Sequence, residues 1–183
     1  MAGVLIVYST TDGHTRHICE RMARLIQKRA LRVEVKAVAE TGIADVLAAD
    51  AVIIGAAIRY GKHKPEVAAF IARHQAALER RPNAFFSVNV VARKPGKDQP
   101  EGNPYLQKFL KRIAWKPARL AVFAGRIDYP KYGLLDRTMI RLIMALTRGP
   151  TDTTRSYEFT DWARVDALAG EIADQIAGEY QNR

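Results

Sequence analysis

Five short apolar segments alternate with amphipathic helical patterns along most of this 183-residue chain. The predicted strands are Val4–Tyr8, Arg32–Ala37, Ala51–Gly55, Ala84–Val91 and Arg119–Ala124. The predicted helices are Thr15–Arg29, Ile43–Leu47, Pro65–Glu79, Pro104–Ile113 and Asp161–Tyr180. Near-continuous apolar strands are typical of a parallel sheet that is buried on both faces, so we expect an α/β fold with five parallel strands and helices on both faces. In such folds, ligands bind beyond the carboxyl ends of the strands.

The first predicted strand ends in a loop of small and hydroxyl-bearing residues, Ser9–Thr15, which leads into a helix. Hydroxyls and free amides at a helix N-terminus favour an anion, because unpaired N–H groups and the helix dipole both attract negative charge. The loop lacks the Gly-Lys-Ser/Thr of a Walker A motif, and Gly13 is its only glycine, unlike a dinucleotide fingerprint. It therefore indicates the phosphate of a mononucleotide, with flavin mononucleotide (FMN) as the leading candidate. The alternative is an ordinary helix that is capped by a hydroxyl.

Two further loops follow the third and fourth predicted strands, at Ala56–Lys64 and Ser87–Lys94. In the first, small residues let the backbone approach a ring, Tyr60 is suited to stack on it and Arg59 to meet an anion. In the second, Asn89 and backbone amides suit the polar edge of an isoalloxazine. Taken singly, each residue also fits an ordinary structural role. Tyr60 fits an aromatic residue on the surface, Arg59 fits a solvated charge, and Asn89 fits a side chain that satisfies the hydrogen bonds of a buried strand end. Together the loops predict an FMN site formed by Ser9, Thr10, Thr11, Asp12, Gly13, His14, Thr15, Ala56, Ala57, Ile58, Arg59, Tyr60, Gly61, Ser87, Val88, Asn89, Val90, Val91 and Ala92.

A long segment, Gly125–Thr160, separates the last predicted strand from the last helix, and a structureless loop of that length would be unusual. Within it, Leu134–Thr147 has helical spacing. Its basic side consists of Arg137, Arg141 and Arg148, and its apolar side of Leu135, Met139, Leu142 and Leu146. Such a helix suits an anionic membrane surface. It equally suits packing on its own domain or against a second subunit, and the sequence leaves these possibilities open.

The net charge of +10 is concentrated in residues 93–148, which carry 13 basic and 4 acidic side chains. Clustering of this kind predicts an anionic partner, whether lipid headgroups, a carboxylate substrate or nucleic acid. No nucleic-acid-binding motif accompanies the charge, so we expect no nucleic-acid partner.

Length and composition restrict which other kinds of fold and functional site we expect. The length suits a single domain over residues 1–183. Cys19 is the only cysteine, so we expect a packed thiol, no intrachain disulfide and no metal site. No apolar run reaches the roughly 18–20 residues of a membrane span. No Ser/His/Asp set or carboxylate pair has motif spacing, so no catalytic side chain is assigned; His17, His63 and His74 are expected at the surface.

The chain resembles the flavodoxin-like, quinone-dependent protoporphyrinogen IX dehydrogenases of bacterial haem synthesis. The stretches that carry the resemblance are Tyr8–Thr15, Ile54–Gly61, Phe86–Pro95, Tyr129–Tyr132, Asp136–Met144 and Thr151–Trp162. It implies a flavodoxin-like fold with an insert near residues 125–160, and an FMN enzyme that oxidises protoporphyrinogen IX to protoporphyrin IX and reduces a membrane quinone, menaquinone or ubiquinone. It also implies a cytoplasmic protein that binds the anionic inner face of the membrane through residues 134–147. Homo-oligomer formation is left open.

The resemblance also bears on the substrate. The third loop, Ser87–Arg93, has no aromatic residue, whereas electron-carrier flavodoxins place one over the flavin and are generally acidic. One flavin face would then be open to a flat tetrapyrrole, whose propionates we expect near Arg59, Lys62, Arg93, Lys94 or Lys131. The alternatives are an NAD(P)H-dependent quinone or flavin reductase and a flavodoxin-type electron carrier.

Overall fold

The computed structural model describes residues 3–181, without the side chains of residues 179–181. Its strands are β1 (Gly3–Ser9), β2 (Arg32–Ala37), β3 (Ala51–Arg59), β4 (Lys62–His63), β5 (Asn83–Val88), β6 (Arg119–Phe123), β7 (Arg126–Asp128) and β8 (Ser156–Glu158). Its helices are α1 (His14–Gln27), α2 (Ile43–Ala48), α3 (Pro65–Glu79), α4 (Pro104–Leu110), α5 (Leu134–Leu146) and α6 (Trp162–Gln181). Apart from the two-residue strand β4, strand and helix alternate as far as β6, as the hydrophobic pattern predicts.

The main sheet has the order β2-β1-β3-β5-β6, and every neighbouring pair along that path is parallel. The predicted five-stranded parallel sheet is therefore confirmed. A parallel sheet of this kind needs helices on both faces, and two apolar clusters supply that cover. On one face, α1 and α6 pack on the sheet through Ile18, Met22 and Ile172; on the other, α3 and α4 pack through Ile71 and Leu106.

Two strands end more than one residue away from the predicted position. β3 continues four residues past Gly55, so Ala56, Ala57 and Ile58 belong to the strand rather than to a loop. The extension is held by the two-residue strand β4, which pairs antiparallel with Ile58 and Arg59. β5 ends at Val88, because the Asn89 side chain accepts the Ala92 N–H and turns the chain into a 3₁₀ helix over residues 90–93.

The predicted insert is structured. β7 and β8 form an antiparallel pair, and a small apolar cluster of Ile127, Tyr129, Tyr132 and Met144 holds α5 against them. Only the Met144 side of α5 is buried; the predicted apolar side, with Leu135, Met139, Leu142 and Leu146, stays exposed. The predicted basic side is interrupted, because Arg137 turns inwards and donates to the carbonyls of Tyr129 and Tyr132.

Within residues 3–181, no helix combines the length and the hydropathy that a membrane crossing requires.

Close packing across the sheet makes Gly55 sensitive to any side chain. A Cβ added there would lie 2.2 Å from the ring of Phe86, which is fully buried. We expect Gly55→Ala to lower the free energy of unfolding by about 1–3 kcal/mol, the usual cost of overpacking. A Cβ at Gly170 of α6 meets nothing, so the control Gly170→Ala is expected to raise stability by roughly 0.5–1 kcal/mol. Urea unfolding of both variants tests this; equal stability of Gly55→Ala and wild type would contradict the packing argument.

Candidate cofactor site

Three loops begin side by side at the carboxyl edge of the sheet. The parallel register pairs Ser9 of β1 with Ala56 of β3, and Ala56 with Ser87 of β5. The sheet therefore brings the three predicted loops together at one edge.

The first loop leaves a set of donors without acceptors among the residues that the structure describes. Gly13 adopts the left-handed conformation (φ +85°) and precedes α1 with no side-chain cap, and the first helical hydrogen bond runs from the N–H of His17 to the Gly13 carbonyl. The amides of residues 14–16 thus have no acceptor within the helix. The Thr15 hydroxyl is buried and has no hydrogen-bond partner among the described residues. A buried, unpaired hydroxyl beside free amides is the arrangement that an anion would satisfy.

Other side chains of the loop have partners within the protein. The Ser9 hydroxyl donates to Glu66 of α3 at 2.9 Å, and the Thr10 hydroxyl accepts the Gly13 N–H at 3.0 Å. The His14 imidazole lies 2.7 Å from the Thr160 hydroxyl at the end of the insert. These bonds hold the loop in shape, while Thr15 and the helix amides remain open to a ligand.

The second loop is the two-residue turn Tyr60–Gly61. Both residues have positive φ, +50° and +76°, as a tight antiparallel hairpin between Arg59 and Lys62 requires. Tyrosine rarely adopts this conformation, and its phenol is held by a hydrogen bond to Asp136 of α5. The Tyr60 side chain remains about half exposed, at 52%.

The third loop is organised by a pair of buried asparagines. Asn89 accepts from the Ala92 N–H at 3.1 Å and from Asn103 Nδ2 at 3.1 Å. Asn103 also caps the N-terminus of α4 by accepting the Leu106 N–H. Asn89 is therefore held rigidly at the strand end, with Val90 and Val91 beside it.

The three loops line two adjoining cavities, which share Asp12, Ile58, Arg59, Asn89, Val90 and Arg126 and which we together call the cleft. Its inner part is lined by Thr10, Thr11, Asp12, His14, Thr15, Ala57, Ile58, Arg59, Val88, Asn89, Val90, Gly125 and Arg126. Its outer part, of about 140 Å³, adds Tyr60, Gly61, Val91, Tyr105, Ile127, Tyr132, Ile140, Ile143 and Met144. Most of the predicted cofactor residues thus line one cleft, and the inner side of α5 forms one of its walls.

Arg59 joins the cleft to the insert. Its guanidinium donates to Asp12 of the first loop at 2.9 Å and to Asp136 of α5 at 2.7 Å, and it lies over the rings of Tyr60 and Tyr132. The hydrogen bond from Tyr60 has the largest effect on Asp136 and lowers its pKa. Burial raises the pKa, but the hydrogen bond and charge of Arg59 lower it again, so the pKa of Asp136 stays below its ordinary value. Sequence analysis missed this role of Asp136, because its partners are 76 and 77 positions away.

Of the five basic residues predicted near the substrate, only Arg59 and Lys62 line a common cavity among those described. Arg59 is occupied by two carboxylates, and Lys131 pairs with Asp128 at 3.2 Å. Arg93 donates to the Val90 carbonyl and to both the carbonyl and the hydroxyl of Thr147, so it fastens the end of α5; burial lowers its pKa. Lys94 ends the 3₁₀ helix, and Lys62 is exposed in β4.

The sequence of this chain is similar to that of known proteins over most of its length. Residues 5–154 match the model of the flavodoxin domain. Over 169 residues the chain is 42% identical to protoporphyrinogen IX dehydrogenase [quinone] of Escherichia coli (strain K12), covering 92% of this chain and 93% of that protein. It is 41% identical over 171 residues to the enzyme of the same name from Leishmania major, covering 92% of this chain and 74% of that protein. The chain belongs to the quinone-dependent protoporphyrinogen IX dehydrogenase family.

Similarity to solved structures supports the fold alone. A flavodoxin from the domain Archaea superposes with a TM-score of 0.54 at 15% identity, covering 96% of this chain and 99% of that one. Membership of the flavodoxin-domain family implies that the chain binds a flavin. The residues present fit such a group, since the unpaired Thr15 hydroxyl and the free amides of α1 can donate hydrogen bonds to its phosphate.

Two of the three histidines that we expected at the surface are buried or half-buried. His17 is exposed as predicted, but His74 is buried against Phe70, and His63 is half-buried against Phe109 and Phe85. His63 Nε2 lies 3.0 Å from the Ser87 hydroxyl at the end of β5. Burial lowers the pKa of His63 to about 4.

Because the pKa of His63 in the folded protein lies below its ordinary value of 6.5, the unfolded chain takes up the proton first as the pH falls. Stability is therefore lost between about pH 6.5 and 4. Relative to His63→Gln, we expect wild type to lose an additional ~2 kcal/mol of unfolding free energy between pH 7.5 and 5.0. Urea titrations at both pH values measure this. The control Ser87→Ala keeps the imidazole and should keep the loss; equal pH dependence of wild type and His63→Gln would contradict the assignment.

Proposed function

We propose that this protein oxidises protoporphyrinogen IX to protoporphyrin IX with a quinone as electron acceptor and FMN as cofactor. The reaction removes six electrons and six protons from the porphyrinogen and reduces three quinones to quinols. The observation that carries the proposal is the 42% identity to the Escherichia coli enzyme, which extends over 92% of this chain and 93% of that enzyme.

The proposed cofactor residues divide by their chemistry. The phosphate would be held by the Thr15 hydroxyl, the amides at the start of α1 and the hydroxyls of Thr10 and Thr11. The polar edge of the ring would lie against residues 88–92, and Ala57, Ile58 and the Tyr60–Gly61 turn would form the opposite wall. Ser9, Asp12 and His14 support this arrangement through Glu66, Arg59 and Thr160.

Bound FMN would supply the redox chemistry, accepting electrons from one reactant and donating them to the other. The protein's own residues exclude water and orient the reactants. Ile140, Ile143 and Met144 of α5 give the outer cleft an apolar wall that suits two lipophilic reactants. The Asp12–Arg59–Asp136 ion pairs hold that wall against the first loop.

We also propose that α5 docks the protein on an anionic membrane surface on the cytoplasmic side. The exposed fractions of Leu134, Leu135 and Leu146 are 82%, 79% and 77%, and the helix also carries exposed Arg141. Apolar side chains with cations among them suit the interface of an anionic bilayer. The same helix walls the cleft with its inner side, so docking would bring the cleft next to the lipid phase from which a quinone arrives.

The proposed function is tested by an anaerobic assay of the purified flavoprotein with protoporphyrinogen IX and a menaquinone or ubiquinone analogue. We expect porphyrin fluorescence to appear only when quinone is present, with three quinones consumed for each porphyrin. Rapid bleaching of the bound flavin by NADPH, without porphyrin formation from protoporphyrinogen, would instead indicate an NAD(P)H-dependent reductase. Flavin binding with neither activity would indicate an electron carrier.

If α5 docks on the membrane, replacing its exposed leucines should weaken binding to phosphatidylglycerol vesicles, as measured by flotation. We expect Leu135→Ser/Leu142→Ser to bind such vesicles at least tenfold more weakly than wild type, because two leucines would no longer enter the interface. Ile43→Ser/Leu47→Ser is the matched control, since those residues are exposed on α2, and it should bind like wild type. Equal loss in both variants, or none in either, would rule out docking through α5.

A further inference from the structure

A second concavity adjoins the cleft at the Tyr60–Gly61 turn, which lines both. It has a volume of about 520 Å³, within the range of small-molecule sites. Its walls come from the turn, from β4, from the start of α3 and from α4. The cations that line it are Arg59, Lys62, Lys64, Lys108 and Arg112, and we call it the basic groove.

The charge of the basic groove is largely uncompensated. No aspartate or glutamate is among the described residues that line it. Arg59 is neutralised by Asp12 and Asp136, whereas Lys64 donates to the neutral carbonyl of Thr10. Within the described part of the chain, Lys62, Lys108 and Arg112 form no ion pair. Four cations around one concavity repel each other, and an anionic ligand would relieve that repulsion.

The rest of the groove surface is apolar. Ala68 of α3 and Tyr105 and Phe109 of α4 line it beside Tyr60. Phe109 is fixed by contacts with the His63 and Phe85 rings, at centroid distances of 4.5 and 5.1 Å. Cations on an aromatic surface suit a ligand with a flat apolar body and carboxylates at its edge. A small hydrophilic anion would leave the aromatic surface unused.

The groove and the cofactor cleft share Thr11, Arg59, Tyr60, Gly61 and Tyr105 as lining residues. A ligand whose carboxylates lie in the groove is therefore held next to the turn that borders the cleft. The turn is rigid, because the Tyr60 phenol and the Arg59 guanidinium are both bonded to Asp136.

We propose that the basic groove binds the propionates of the porphyrinogen, with Lys108 of α4 and Arg112 of the turn that follows it as specificity-determining residues, together with Lys62 and Lys64. This inference rests on the proposed function, whose substrate is a flat tetrapyrrole with two carboxylates. It assigns substrate recognition to α4, a helix that the sequence analysis did not associate with the site. It also explains why Arg59, Arg93 and Lys131 can be engaged within the protein.

The test uses the flavin-loaded protein and the variant Lys108→Ala/Arg112→Ala. We expect the KM for protoporphyrinogen IX to rise about tenfold, as loss of two charge-assisted contacts predicts, with kcat and the KM for quinone changed less than about twofold. The matched control is Lys111→Ala/Lys116→Ala, which removes the same charge from exposed residues outside the groove and should leave all constants unchanged.

Binding of the stable product separates this inference from the proposed function. By fluorescence titration, we expect protoporphyrin IX to bind wild type about tenfold more tightly than Lys108→Ala/Arg112→Ala, and its dimethyl ester to bind both equally. This result would support the groove even if the protein had no dehydrogenase activity. Equal protoporphyrin binding by wild type and variant would overturn the inference even if activity were present. So would a variant that lost only NADPH binding, because the groove would then serve a dinucleotide phosphate.

Discussion

Hydrogen bonding between β1, β3 and β5 sets Ser9, Ala56 and Ser87 in adjacent register at one edge of the sheet. Each strand then continues into a loop, so strand pairing brings three separate pieces of sequence together, and side-chain contacts such as Arg59–Asp12 and His63–Ser87 link them further. The free amides at the start of α1 point to the same edge because a helix follows β1 directly. Every functional feature of the molecule is built around this edge, including the cleft, the Tyr60 turn and the wall formed by α5.

The insert extends this arrangement through Arg59. By pairing with Asp12 and Asp136, this side chain links the first loop to α5, and Arg93 fastens the other end of the helix through Thr147. Cations near the cleft are thus used to hold the insert, which leaves the cations of the basic groove for a ligand. In a chain with a net charge of +10, the arginines near the cleft are thus paired within the protein, while a separate set of cations is available to a substrate.

The sequence predicts the sheet well because buried strands must be apolar over their whole length, and all five parallel strands were placed within a few residues. The first loop was also predictable, since hydroxyls before a helix have a local physical meaning. The extension of β3 was missed because β4 is only two residues long, and a strand of that size has no periodicity. Lys108 and Arg112 were missed for a different reason: at the end of α4 and in the turn after it they look like ordinary solvated charges, and only the tertiary structure brings them to the same groove as Lys62.

The proposed cofactor site depends most directly on an anion site at Thr15 and the first turn of α1. Comparing FMN with riboflavin, which lacks the phosphate, tests that site in isolation on the flavin-free protein. We expect wild type to bind FMN at least about 100-fold more tightly than riboflavin, since the phosphate would accept several charge-assisted hydrogen bonds. Thr15→Val, which removes only the unpaired hydroxyl, should weaken FMN binding about tenfold and leave riboflavin binding unchanged. Equal affinity of wild type for the two flavins would contradict a phosphate site at the start of α1.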